Sequence, residues 1–399
     1  MAARENCRVK LLLVDSSRYG WGTEQHFVEL ACALHEAGHE LHVVVRRGSG
    51  VDRLLESRGI PRHTTPFRGG ADPRGLWKVA QVVRRFRPEW IVTSRAKLYW
   101  PMVIMGLSMG VRVALFRHLT YFRHWHERQL LPRLADRFYV VSEFGREVLA
   151  RQGVPADRMV PLYNPINTKR FCPLAPEERA RIRADLGFAP GDVIAGFAGR
   201  MELSKGVGSL REALTLAMER LPQLQMLWIG DGSERIATQN FAAQSGYGLR
   251  QLFLGSKLHV EKYIGILDLL IAPSQAPETF GRVVAEAQAC GVAVLASAAG
   301  GLAETFQPGH TGLLLDSPTD PAAISDAIEV LARDSHMRAR LGAAGVKFVR
   351  ARFAADHIAA TFVNDLSTTA ATHAIRPRDQ DRRARPVAHL VSRQLRTPH

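Results

Sequence analysis

The chain is short of cysteine, of long apolar runs and of acidic residues. Its four cysteines, Cys7, Cys32, Cys172 and Cys290, lie far apart in 399 residues and never in a CxxC pair. That spacing argues against a cysteine-only zinc site and gives no disulfide framework, so a reducing cytosol is the expectation. The first residues pass from MAARENCRVK through LLLV to Asp15, too short an apolar stretch for an export signal. The most apolar segment, residues 98–116, holds Pro101, Gly106, Gly110 and Arg112. It reads as a buried helix followed by a strand rather than a membrane span. Localisation is therefore expected to be cytoplasmic, with peripheral contact to an inner membrane face as the variant. Acid is outnumbered: 38 Asp and Glu face 53 Lys and Arg, a net charge of +15. Such a surface attracts anions, whether phosphate ligands, acidic membranes or nucleic acid.

What is present is a repeated alternation. VKLLLVD (9–15), ELHVVVR (40–46), WIVTS (90–94), VRVALF (111–116) and RFYVVS (137–142) read as buried strands separated by helix-like stretches. Residues 163–180, rich in Pro and Asn, read as a linker. The alternation restarts with DVIAGFAG (192–199), LQMLWIGDG (224–232), QLFLGS (251–256), LDLLIAPS (267–274) and VAVLAS (292–297), with helices near 206–220 and 281–290. The fold class is α/β: two doubly wound, Rossmann-like units with a cleft between them. A helix near 337–352, broken by glycines, and another near 355–366 follow. From about Ser367 the chain carries seven arginines against two aspartates and is expected to be a disordered basic tail. A DxD match at Asp379 and Asp381 in that tail is read as chance.

Ligands of open α/β sheets sit beyond the carboxyl ends of the strands. In the second unit those ends supply Arg200, Lys205, Gly230, Gly232, Gly255, Ser274 and the segment PETFGRVVAEAQACGVAVLASAAGG (277–301). Arg200 and Lys205 are two cations on one loop, suited to a diphosphate; a solvated pair is the alternative. If a helix starts near Gly281, the amides of Phe280, Gly281 and Arg282 lie at its positive end, with Glu278 at the mouth. Gly281 would let a ligand approach the backbone. Glu286, among Val283, Val284, Ala285, Ala287 and Ala289, needs a partner or a purpose, such as gripping a vicinal diol.

These segments resemble a known family. Residues 277–301 look like the E-x7-E segment of the retaining, nucleotide-sugar-dependent glycosyltransferases of family four, which have the GT-B fold. FAGRMELSKG (197–206) is similar to that family's G-R-x-x-x-x-K-G loop, and WIGDGSE (228–234) to its G-x-G strand end. The resemblance implies that Arg200 and Lys205 neutralise the leaving diphosphate, Glu286 holds the ribose, and Glu278 with Phe280 and Gly281 positions the donor sugar. It implies that Gly255 borders the nucleobase and that Gly20 and Gly22, split here by Trp21, approach phosphate and acceptor. His118 resembles a histidine near the transferred sugar, with His124 and His126 as competitors in the same stretch.

The expected domains are 1–170 on the acceptor side, 171–352 binding the nucleotide sugar, a helix 353–366 packing back towards the first domain, and the tail 367–399. The implied reaction is metal-independent glycosyl transfer to a saccharide or lipid-linked acceptor, with the nucleotide sugar as a substrate and no cofactor. The family makes cell-surface polysaccharide, lipopolysaccharide or glycolipid synthesis the expected setting. A nucleotide-sugar epimerase or phosphorylase of the same fold, or a non-catalytic nucleic-acid or anionic-surface binder, are the alternative classes. Nucleic acid is the less favoured anion, and segment 112–137 is the expected face for an anionic acceptor or membrane.

Overall fold

A computed structural model describes residues 8–18 and 23–375. The Gly20 and Gly22 expectation, the arginine-rich residues from 376 onward and the DxD match all lie outside the described residues. Two parallel sheets carry the fold, both within one compact unit that ends at Ala359. The first contains β1 (Lys10–Asp15), β2 (Glu40–Arg46), β3 (His63–Thr65), β4 (Trp90–Thr93), β5 (Arg112–Arg117), β6 (Arg137–Val140) and β7 (Met159–Pro161). Their order is β3-β2-β1-β4-β5-β6-β7. Its helices are α1 (Thr23–Glu36), α2 (Gly50–Ser57), α3 (Pro73–Phe86), α4 (Tyr99–Met109), α5 (Trp125–Leu134) and α6 (Glu143–Arg151).

After α7 (Pro176–Asp185), the second sheet contains β8 (Val193–Ala198), β9 (Leu224–Ile229), β10 (Gln251–Gly255), β11 (Leu269–Ala272), β12 (Ala293–Ala296) and β13 (Leu313–Leu314). Here the order is β10-β9-β8-β11-β12-β13. Between and after these strands run α8 (Val207–Arg220), α9 (Arg235–Gln244), α10 (Val260–Gly265), α11 (Arg282–Ala289), α12 (Pro321–Arg333) and α13 (Ser335–Arg352). Strands such as β8 and β11 are buried at every residue, which is why they read as unbroken apolar runs. In both sheets the order of strand addition reverses once, between β1 and β4 and between β8 and β11. Loops leaving the two strands at such a switch point diverge and open a crevice at the carboxyl edge.

The expected α/β class with two Rossmann-like parallel sheets holds, with four corrections of detail. The segment read as a linker, 163–180, runs into α7, which opens with Pro176 at its first turn, where a missing N–H is harmless. The helix expected to break at glycines, α13, is continuous. A Cβ on Gly342 would lie 2.1 Å from the Gly291 carbonyl oxygen, so the small residue permits close packing. The segment read as a buried helix, α4, buries one face only; Ile104 and Leu107 are exposed. The last helix, α14 (Ala355–Ile375), runs past the expected start of the tail at 367. Thr368 and Thr369 return their hydroxyls to the carbonyls of Asn364 and Asp365, and alanines fill the remaining turns. No described helix is long and apolar enough to cross a membrane.

Candidate functional site

The switch point of the second sheet brings together residues more than seventy positions apart. The loop after β8 ends in a short helical turn, Leu203–Lys205, and the loop after β11 carries Ser274 and Glu278. Lys205 Nζ lies 2.8 Å from Glu278 Oε2, and the Ser274 hydroxyl donates to the other carboxylate oxygen. Gly206 makes the approach of the two loops possible. Its φ is +74°, and a Cβ there would lie 2.0 Å from the Pro273 carbonyl oxygen. The amides of Gln275 and Ala276 both donate to Ser204 O, tying the loops a second time.

Arg200 leaves the same edge but points elsewhere. Its side chain is 73% exposed and pairs with Glu202 at 2.6 Å. The Ser204 hydroxyl donates to the same Glu202, so the arginine is joined to the Lys205 turn through that carboxylate.

Glu286 has its partner on the preceding turn of its own helix. Arg282 Nε donates to Glu286 Oε1 at 2.7 Å, and Arg282 Nη1 donates to Pro165 O at 3.2 Å. Burial raises the Glu286 pKa above the usual carboxylate range, opposed by the Arg282 charge. Two expectations for the helix start change. The Arg282 amide donates to Phe280 O, so this N–H is spent inside the turn. The missing Cβ of Gly281 points at Leu302 Cδ1, 2.0 Å away, so its smallness lets the helix pack on residues 301–305. The amides of Phe280 and Gly281 have no partner among the described residues.

Gly255 ends β10 with φ +66°, facing the Arg235 guanidinium, and its carbonyl accepts from Gly230 N. In the first sheet, His118 directly follows β5 and is buried. Burial, then the charges of Arg117 and Arg282, lower its pKa to about 3. Its ring meets His26 of α1 edge-on, with centroids 4.7 Å apart. The competing His124 and His126 stack on one another at the start of α5.

Several residues escaped the sequence reading. His26 Nδ1 lies 3.0 Å from Asn164 Oδ1, and burial, with His118 and Arg282, pushes its pKa down. The Nε2 atoms of His26 and His118 and the Ser17 hydroxyl are buried without a hydrogen-bond partner among the described residues. His26 meets Asn164 while Arg282 donates to the carbonyl of the adjoining Pro165, so the start of α11 lies near the two histidines. Glu304 is the other omission. It accepts from the amides of Glu143 and Phe144, at 3.0 and 2.7 Å, and from the Tyr163 hydroxyl. A carboxylate from the turn Gly301–Thr305, after β12, thus closes the N-terminus of α6. The available signal was polarity inside apolar stripes, as with His26 and Glu29 among Phe27, Val28, Leu30 and Ala31.

Known proteins resemble this chain in sequence and in fold. Residues 178–348 match the family model "Glycosyl transferases group 1", and residues 21–170 match "Glycosyltransferase Family 4". The chain is 32% identical over 197 residues to a GDP-mannose-dependent monoacylated alpha-(1-6)-phosphatidylinositol monomannoside mannosyltransferase of Corynebacterium glutamicum, across 47% of this chain and 50% of that protein. It is 26% identical over 364 residues to a D-inositol 3-phosphate glycosyltransferase of Pseudarthrobacter chlorophenolicus, across 81% of this chain and 84% of that protein. The chain spans about half the length of the first curated relatives it matches. In fold it is similar to Anabaena Alr3699/HepE, solved in complex with UDP and glucose, with a TM-score of 0.77 at 23% identity over 90% of this chain and 100% of that one. The two family models meet at the join between the sheets and leave only a few residues there unmatched, so the chain belongs to the family-four glycosyltransferases of the GT-B fold.

Proposed function

We propose that the chain transfers a sugar from a nucleoside diphosphate sugar to an acceptor hydroxyl, with retention at the anomeric carbon. The Lys205–Glu278 pair at the switch point carries this reading. A cation and an acid held in contact there can both exchange partners. Lysine takes a diphosphate oxygen, and the released carboxylate accepts from sugar hydroxyls. As the sugar–phosphate bond stretches, negative charge grows on the leaving diphosphate. Lys205, Arg200 swung from Glu202, and the open amides of Phe280 and Gly281 would stabilise it where it develops. Glu286, fixed by Arg282, is suited to accept from a ribose diol. His118 is neutral near pH 7, so it serves as a hydrogen-bonding group rather than a charge. The acceptor proton would pass to the leaving phosphate, with no protein nucleophile required.

A thermal-shift panel of nucleoside diphosphates and their sugar conjugates tests the reading. One nucleotide family should raise the melting temperature of the chain, and Lys205→Ala should abolish the shift. No stabilisation by any member of the panel removes the proposal.

The proposed acceptor is a saccharide or lipid-linked saccharide met at an anionic membrane surface. This rests on α4, α5 and the loop before α5. Ile104 and Leu107 of α4, Leu119 and Tyr121 of the loop, and Trp125 and Leu130 of α5 are all at least 40% exposed, and Arg123, Arg128 and Arg133 lie in the same stretch. Adjacent exposed aromatic, aliphatic and cationic side chains fit lipid headgroups over a bilayer edge.

A further inference from the structure

We infer that a cavity between β3 and α3 holds the acidic part of a saccharide acceptor, an inference that rests on the glycosyl transfer proposed above. The cavity measures about 550 Å³ and is lined by Arg47, Thr64, Thr65, Arg74, Trp77 and Lys78, with two prolines. It lies where β2 and β3 end, on the carboxyl edge that also carries Asp15 at the end of β1 and Ser17 just beyond it. Neighbouring strands lie roughly 4.8 Å apart, so β3 is about 10 Å from β1. A ligand of more than one sugar unit bridges that span.

Charge identifies the occupant as an anion. Three cations line the cavity and no carboxylate does. None of their side chains makes an ion pair or hydrogen bond among the described residues. Nearby arginines do: Arg58 holds Glu29, Arg62 holds Asp52 and Arg95 holds Glu24. The acid closest in sequence, Asp72, is turned to the amides of Arg68 and Arg74 as the cap of α3. The cavity therefore keeps an unneutralised positive field.

Trp77 identifies the rest of the ligand. Its ring is 62% exposed although the same helix buries Val79, Val82 and Val83. An indole face beside cations suits the apolar face of a sugar ring whose substituent is a carboxylate or phosphate. The wall is pre-formed. A Cβ on Gly75 would lie 2.1 Å from the Phe67 ring, so α3 is pressed against the segment that follows β3. Thr65 O accepts from the amides of Arg47 and Phe67, which fixes the opposite rim.

Calorimetric titration of the full chain tests this, with tetragalacturonate and glucose 6-phosphate as acidic probes. Maltotetraose, glucose and inorganic phosphate are the controls. At least one acidic saccharide should bind saturably and more tightly than its neutral counterpart and than phosphate alone. Trp77→Ala and the Arg74→Ala/Lys78→Ala double variant should each weaken it about tenfold. All three side chains reach solvent, so thermal melts of these variants should match the parent. Binding of neutral and acidic probes alike, binding of phosphate as tight as that of the sugar phosphate, or unchanged affinity in both variants overturns the inference. Nucleotide-induced thermal shifts, run in parallel, should be equal in parent and variants. Loss of those shifts in the parent counts against the transfer reaction, while the saccharide titration still reads the cavity on its own.

Discussion

At the scale of single residues, the candidate site is a set of charges already satisfied by one another. Lys205 holds Glu278, Arg200 holds Glu202 and Arg282 holds Glu286. These pairs differ in exposure, and exposure decides what each can do. Arg200 is mostly in water, so its pair with Glu202 is weakly held and readily surrendered to a phosphate. Arg200→Ala should therefore fold normally and lose about 3–4 kcal/mol of transition-state stabilisation, read as a fall in turnover with little change in melting temperature. Turnover close to the parent's would remove Arg200 from the reaction. Glu286 is buried, and removing its arginine would strand a charge in an apolar helix, so its pair supports the fold.

His118 makes a prediction about acid stability. Its folded pKa is depressed to about 3 from an ordinary value of 6.5. Between those values the unfolded chain binds the proton that the folded chain refuses. Its contribution is whole above about pH 6.5 and is lost as pH falls towards 3. His26 works in the same direction, whereas the raised pKa values of Asp15 and Glu286 work in the opposite one. The His118 share is isolated by comparison with His118→Phe. Denaturant melts should show the stability difference between parent and variant shrinking or reversing in the variant's favour from pH 7 to pH 5. A difference independent of pH would mean that His118 is protonated alike in both states.

At the scale of elements, the switch points explain why distant motifs meet. β8 and β11 are neighbours, so the loops that leave them carry Lys205 and Glu278 to one place. α6 makes a second case. Its N-terminus has Ser142 as cap, and Glu304 adds a charge to two more amides. Glu304→Ala should cost about 1–2 kcal/mol in denaturant melts, and Glu304→Gln should recover part of it by keeping an acceptor oxygen. Equal losses in the two variants would assign the effect to the charge alone.

Elements also show where sequence patterns are silent. β3, β7 and β13 have two or three residues each, too few for periodicity to register. They are strands because a neighbouring strand offers them a ladder. The candidate-site residues are more conspicuous in sequence than their supports. Lys205, Glu278 and Glu286 stand out because charge beside glycine or inside an apolar helix is conspicuous. His26, Asn164 and Glu304 lie in ordinary surroundings and acquire their partners only across the chain, as the 138-residue separation of His26 and Asn164 shows.

At the scale of the whole molecule, composition alone does not reveal how the excess of basic charge is distributed. Many arginines are consumed in ion pairs, such as Arg170 with Glu261 and both Arg179 and Arg183 with Asp268. The α4–α5 face combines its arginines with exposed apolar side chains. In flotation assays the chain should rise with vesicles containing anionic lipid and remain behind with neutral ones, and raising the salt should release it. Trp125→Asp together with Leu130→Asp should abolish flotation without lowering the melting temperature, since both side chains are exposed. Binding indifferent to anionic lipid would defeat the membrane proposal.

By itself, the sequence determined the class of fold, the two-part division and the segments that carry charge and glycine, because burial on both faces of a parallel sheet demands continuous apolar runs and strand ends demand small or polar residues. Tertiary structure alone decided which charges pair, that Gly281 faces Leu302 rather than open space, and that His26 and Arg282 meet the adjoining residues Asn164 and Pro165. The physical reason is one of range. Backbone pattern is fixed by neighbours a few residues away, whereas the partner of a charged or polar side chain is fixed by strand order, which brings together residues that no local pattern relates.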